Sequence, residues 1–557
     1  MKRALLLTAL AITVAAIGAT TAAAQGTISW SKCGGRFECA TFTVPLDYAD
    51  PSDRQIDLSL IRQPARDPAK RIGSLLTNPG GPGGSGVDFV RAWAGSLSSD
   101  ITDRFDIIGF DPRGVGESTP IVCHDNLKAW VAADPSPDSQ SEWDTLARET
   151  EAFADGCAAK HSALLPFLGT KNVARDMDRM RAALGDAKLT YLGYSYGTVI
   201  GQVYADMFPG NVRAMVLDGA VDLALSTDDR TLTQIAGFDR ALEAFIANCN
   251  RTNCRLESLG GAARAVDDLF RKAEEAPIPS KSADRPAGPG EVLIGLIEPL
   301  YSASRWSSLE RAIEAGLGGD GSRLVQLTDS YLQRDPGGGY ANVQEANVAV
   351  NCVDQELSKL PTRFADFPAA AARFAQTAPR FGPSVATGLT CAFWAAKPDA
   401  LAPPRAAGVP PILVVSTSGD PATPYEWGVA VSKQLPGAVL LSYGGEGHTV
   451  YGGRDGCIDK AVNRYLVELT APAPGTACGN ASAIPAAVPT ESATPAAPGS
   501  NASPAPSPAG TQPPPFQPAP NSNVPSTPTR RPWVWIVVGL TAGLAVVTTT
   551  VMAVRRR

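Results

Sequence analysis

A serine lies between two glycines in Gly193-Tyr194-Ser195-Tyr196-Gly197, where the apolar run 189–194 gives way to another that begins at Val199. Gly-x-Ser-x-Gly at a strand-to-helix junction makes a turn so tight that only glycines fit beside the serine. The hydroxyl is thereby lifted above the sheet edge. The bare pattern is short, and the strand before it and helix after it give it meaning. A hydroxyl held this way is a nucleophile if a base takes its proton and an acid holds that base.

Three histidines can supply the base: His124, His161 and His448. Chains with this turn carry nucleophile, acid and base in the order Ser, Asp or Glu, His, and only His448 follows Ser195. It lies in GGEGHTVY (444–451), after the apolar run 438–443. His124 and His161 read as surface or packing residues. For the acid, Asp420 ends a strand-like run and is preferred, with Asp218, closing VRAMVLD, as its rival. Pro421 and Thr423 are placed to cap the next helix. A tetrahedral intermediate needs N–H donors for its oxyanion. Tyr196, next to the nucleophile, offers one, and Gly81 in the loop NPGGPGGSG (78–86) offers the other. In DPRGVGES (111–118), Asp111 and Arg113 read as a structural pair.

These residues need a scaffold that brings them to one edge. Apolar runs at 72–77, 105–110, 189–194, 212–218, 411–417 and 438–443 read as strands, and 87–97, 172–184 and 425–435 as helices. The alternation predicts a mostly parallel sheet with crossover helices. ECATFTVPLDY and QIDLSLIRQ predict an antiparallel pair at the sheet edge. From about Leu223 to Pro404 the strand rhythm stops and helical patterns dominate. The expected division is a core over 25–222 and 405–480, interrupted by a helical cap over 223–404.

The ends carry other signals. Residues 1–24 have Lys2 and Arg3, an apolar stretch and Ala22-Ala23-Ala24, which predicts a cleaved signal peptide. Residues 481–532 are rich in Pro, Ala, Ser and Thr, a composition that predicts a disordered stalk. Residues 533–554 carry no charge, and at ~1.5 Å per residue they reach roughly 33 Å, enough to span a bilayer. The expectation is an exported body held at the outer face of the plasma membrane by a single helix. Ten cysteines fit export, and neighbours in sequence suggest the disulfides 33–39, 123–157, 249–254, 352–391 and 457–478. None has the CxxC form, so neither metal nor other cofactor is expected. A net charge of −6 without an interior basic stretch argues against nucleic acid.

Together, ECATFTVPLDYADP, LLTNPGGPGGSG, FDIIGFDPRGVGES, YLGYSYGT, GDPATP and GEGHTVY resemble the tripeptidyl aminopeptidase and prolyl aminopeptidase group of α/β-hydrolases, nearest its secreted bacterial members. The motifs cover roughly Cys33 to Cys478. Where intracellular relatives have histidine in an HGGPG loop, this chain has Pro79. The resemblance implies an α/β-hydrolase fold with a helical cap, here with a C-terminal transmembrane helix. It implies a triad of Ser195, Asp420 and His448, an oxyanion hole of Gly81 and Tyr196, and cleavage near a free N-terminus. An ammonium group at the site calls for a carboxylate in the cap. Asp354 is a candidate, with Glu345 and Glu356 as rivals. The alternative is a surface carboxylesterase or lipid hydrolase with the same triad.

Overall fold

A computed structural model describes residues 28–124 and 126–485. Ten strands form one sheet: β1 (Ser31–Lys32), β2 (Glu38–Pro45), β3 (Gln55–Gln63), β4 (Gly73–Asn78), β5 (Phe105–Phe110), β6 (Leu189–Tyr194), β7 (Val212–Asp218), β8 (Leu413–Gly419), β9 (Val439–Glu446) and β10 (Ala477–Gly479). Their order is β1-β2-β3-β5-β4-β6-β7-β8-β9-β10. The first three strands run antiparallel to their neighbours, and β4 to β10 are parallel.

Burial explains the sequence patterns. Every residue of β4, β5 and β6 is buried, as expected of central strands covered on both faces. Successive side chains enter opposite layers, following the two-residue period of a strand. Leu76, Ile108, Tyr191 and Val414 pack on one face with residues of helices Thr170–Ala183 and Tyr196–Met207. Leu75, Ile107, Leu192 and Val415 pack on the other with residues of helices Gly86–Trp93 and Gly456–Glu468. β3 instead alternates in part between buried and exposed positions, because its antiparallel edge has a wetter face.

Two features place the site. β4 lies between β5 and β6, so the chain reverses direction across the sheet there, and the loops after β4 and β6 meet at the crevice above it. Between β7 and β8 the chain builds helices, beginning with Thr227–Thr252 and including Pro289–Leu300 and Val343–Asp354. Their apolar faces join the first of the two core layers through Phe238, Leu242, Leu296 and Val348. All five expected cysteine pairs are bonded.

Two expectations need correction. The fold was expected to include a transmembrane helix, but among the described residues no helix is long and apolar enough to cross a membrane. The long helices Gln140–His161 and Thr227–Thr252 carry charges along their length, such as Glu142, Arg148 and Glu151 in one and Asp229, Arg240 and Arg251 in the other. The membrane partner and the location at the outer face of the plasma membrane rested on that span and fall with it. Residues 533–554, residues 1–24 and the expected stalk beyond residue 485 lie outside the described residues. Asp111 and Arg113 do not pair with each other. Arg113 bonds the Asp176 carboxylate at 2.6 and 2.8 Å and three backbone carbonyls. Asp111 accepts from Ser85 Oγ at 2.6 Å and from the N–H groups of Val87 and Glu117.

Candidate active site

Ser195 follows β6 with φ 53° and ψ −124°, a strained left-handed conformation for a side-chain-bearing residue. The surrounding turn dictates it: a Cβ at Gly193 would lie 2.3 Å from Gly197 O. The Ser195 N–H donates to Asp218 O at the end of β7, 2.9 Å away, which ties the turn to the next strand. The loop after β4 abuts the same turn, since a Cβ at Gly80 would lie 2.8 Å from Ser195 Cβ.

Asp420 and His448 are in direct contact. The imidazole Nδ1 lies 2.8 and 2.9 Å from the two carboxylate oxygens, and both side chains are almost fully buried. Asp420 also accepts from the N–H groups of Ala422 and Thr423 at 2.9 and 2.8 Å and from Thr423 Oγ1 at 3.0 Å. A carboxylate so placed calls for the proton on Nδ1, which leaves Nε2 able to accept one. Nε2 has no hydrogen-bond partner among the described residues, so the bond to Ser195 Oγ is not closed. Such bonds commonly tighten only when substrate binds. Gly219 directly follows the carbonyl that holds Ser195, and a Cβ on it would lie 3.2 Å from His448 Cε1.

Thr423 is not the helix cap that its position suggested. Pro424 is the N-cap of Tyr425–Gln434, and the Thr423 hydroxyl turns to Asp420 instead. Asp218, the rival acid, does not touch the imidazole. Its Oδ2 accepts from Val450 N–H and Tyr451 N–H at 2.9 and 2.8 Å and so holds the chain just beyond His448; burial pushes its carboxyl up to about 6. The cap reaches the base from the other side. Tyr301 O accepts from His448 N–H at 2.9 Å, and the Tyr301 ring meets the imidazole nearly edge to face.

Ser195, Gly81 and Tyr196 line a cleft of about 610 Å³ closed on its far side by the cap. Gly81 N–H and Tyr196 N–H have no protein acceptor among the described residues, the latter because the first N–H groups of a helix lack intrahelical partners. Asn347, on the cap helix Val343–Asp354, donates to Pro82 O at 3.0 Å and so holds the glycine loop in place.

The three cap acids separate. Asp354 lines the cleft and is buried. It accepts from Thr170 N–H at 2.9 Å and from Thr170 Oγ1 at 2.5 Å, and Thr170 Oγ1 in turn pairs with the Tyr196 hydroxyl. Burial pushes the Asp354 carboxyl up to about 7, against the opposing effect of the Thr170 hydrogen bonds. Glu356 lines the same cleft and is exposed. Glu345 does not line it: nine residues before Asp354 on one helix is two and a half turns, hence the opposite face. It is buried near Cys123, and burial pushes its carboxyl up to about 7. His124 and His161 lie elsewhere, against Phe153 and Val122.

Sequence reasoning missed Thr170, Tyr301 and Asn347. Their roles arise from contacts between distant segments, and no local pattern marks them.

The α/β-hydrolase fold model matches residues 73–454. The chain is 37% identical over 484 residues to Serine protease Hip1 of Mycobacterium tuberculosis, covering 81% of this chain and 91% of that one. It is 40% identical over 462 residues to Carboxylesterase B of the same species, covering 79% and 86%. It is 33% identical over 473 residues to Tripeptidyl aminopeptidase of Streptomyces coelicolor, covering 81% and 86%.

Proposed function

Since the chain belongs to the α/β-hydrolase fold family and is a serine hydrolase of its peptidase group, we propose that it cleaves peptide bonds near a free N-terminus through an acyl-enzyme. The observation that carries this reading is Asp354, a buried acid in the cleft that also holds Ser195. A carboxylate there suits a substrate ammonium group, whose burial is costly without an anionic partner. The similarity to a protein named tripeptidyl aminopeptidase supports the same choice.

In this mechanism His448 Nε2 takes the Ser195 proton as Oγ attacks the scissile carbonyl. Gly81 N–H and Tyr196 N–H receive the developing oxyanion. Asp420 holds the imidazole and stabilises its charged form, and Thr423 keeps the carboxylate in register. His448 then protonates the leaving amine, and water attacks the acyl-enzyme with the same base assisting. Export belongs to this proposal too, supported by five disulfides that call for an oxidising compartment.

The similarity to Carboxylesterase B favours a second reading, ester hydrolysis by the same triad. One comparison separates them: hydrolysis of Ala-Ala-Ala-anilide, its N-acetylated twin and a simple acyl ester, with Ser195→Ala as control. The expected outcome is cleavage of the free-amine peptide at least tenfold faster than its blocked twin, and no activity above background in Ser195→Ala. Equal or faster turnover of the blocked peptide or the ester would overturn the N-terminal reading and leave the nucleophile standing.

A further inference from the structure

The cleft holds a cation as well as an acid. Arg230 sits in the first turn of helix Thr227–Thr252, whose Ser226 cap, Thr227 and Thr231 also line the cavity. Arg230 is half-buried, and its guanidinium makes one long hydrogen bond, Nη1 to Asp222 O at 3.5 Å. No carboxylate lies within ion-pairing distance of it among the described residues.

Three arginines of this protein with largely buried side chains come with their own anions. Arg113 has Asp176. Arg285 has Glu291 and Asp329, and Arg334 has Asp284 and Asp329. Around Arg230 the acids are committed elsewhere. Asp222 accepts from Ala224 N–H and Gln434 Nε2, and Asp228 from Ser358 Oγ and Lys359 N–H. Asp229 is engaged with Ser226, and Asp354 with Thr170. Glu356 lines the same cleft beyond ion-pairing distance.

A planar guanidinium with five donors, partly removed from water and left with one long contact to a carbonyl, gains from a ligand that supplies an anionic acceptor. Burial lowers the Arg230 pKa, while the charges of Asp222 and Asp354 hold it up. The positive end of a 26-residue helix adds to the same field.

We propose that Arg230 is an anion-binding subsite of the cleft, which receives a carboxylate of the peptide substrate in a charge-assisted, two-pronged contact. The inference rests on the peptide reading above and adds a specificity to it. The carboxylate has two possible sources, an acidic side chain near the N-terminus or the free C-terminus of a short peptide. Arg230 touches substrate but none of the bonds that change, so its effect belongs in KM.

The test uses isosteric pairs on the full chain. In one arm, tripeptide anilides carry Glu or Gln at each of the three positions in turn. In the other, tetrapeptides end in a free or an amidated C-terminus. Each is measured on the wild type, Arg230→Gln and Arg230→Lys. The readout is the ratio of kcat/KM between carboxylate and amide partners, in which any loss of folded enzyme cancels.

The expected result is a ratio of roughly ten or more in one arm, carried by KM, as for a charged hydrogen-bonded contact. It falls to near one in Arg230→Gln and is partly retained in Arg230→Lys, and the arm in which it occurs identifies the source. Ratios near one throughout the wild-type series, or a preference that persists in Arg230→Gln, would overturn the proposal. An N-acetylated series runs in parallel. Equal turnover of blocked and free peptides would end the N-terminal reading, while the carboxylate ratio in that series still decides the role of Arg230.

Discussion

A substrate ammonium group gains from Asp354 only when that acid is ionised, and its surroundings make ionisation late. Burial holds the carboxyl up to about 7; Thr170 and Lys171 favour the charged form and Asp399 disfavours it. Arg230 lines the same cleft and acts in the favourable direction. The sign follows: below about pH 7 the proton stays on Asp354 and the site is neutral, whereas above it the carboxylate can pair. A peptide α-amine loses its own charge near pH 8. The ratio of kcat/KM for free-amine over N-acetylated substrate is therefore expected to rise through pH 7 and fall above about 8. His448 serves both substrates and cancels in the ratio. A flat ratio from pH 5 to 9 would remove Asp354 from amine recognition. The same scale separates the two strand-end acids. Asp420 meets the imidazole and Asp218 meets only backbone N–H groups, although both close a strand at the same end of the sheet. Sequence could rank them but could not see which loop folds back over which carboxylate.

At the scale of elements, the glycine loop after β4 is clamped between the nucleophile turn and the cap helix Val343–Asp354. Gly83 has φ 98°, and a Cβ there would lie 2.3 Å from Val343 O, a backbone atom that cannot swing aside. Gly83→Ala is therefore expected to push loop and helix apart and move Gly81 off the oxyanion position. Loss of one such donor costs about 10²–10³ in kcat. Gly95→Ala, where a Cβ meets nothing within 4 Å, is the matched control and should leave kcat as it is. A wild-type kcat in Gly83→Ala would show that Gly81 is not a donor. The elements themselves were largely legible. Parallel strands covered on both faces print as mostly apolar runs, so 105–110, 189–194 and 212–218 coincide with β5, β6 and β7. β1 and β10, of two and three residues, are too short to show a period. Helix Gln140–His161 went unread although Ser139 and Glu142 form a capping box that signals its start.

At the scale of the whole molecule, sheet and cap must be held in one arrangement for the cleft to exist, and the triad alone does not specify that arrangement. Order along the chain singled out His448 as the partner of Ser195 and left Asp420 and Asp218 to be ranked. The cap side of the cleft depends on contacts such as Thr170 with Asp354, 184 residues apart, which no local period encodes. One covalent tie acts where those contacts converge. Cys352 and Cys391 both line the cleft, and Cys352 lies two residues before Asp354 at the end of its helix. Their bond closes a loop with a separation of 39 residues, so removing it by Cys352→Ala with Cys391→Ala should cost about 4 kcal/mol through the unfolded chain. It should also free the helix end that presents Asp354, raising KM for free-amine peptides more than for blocked ones. Cys33–Cys39 spans six residues at the sheet's antiparallel edge and touches no wall of the cleft. Replacing that pair by alanines should lower stability less and leave the free-to-blocked ratio unchanged. If the two double variants lose stability but keep the same ratio, the cap is positioned by its apolar contacts with the first core layer, and the 352–391 bond only staples it.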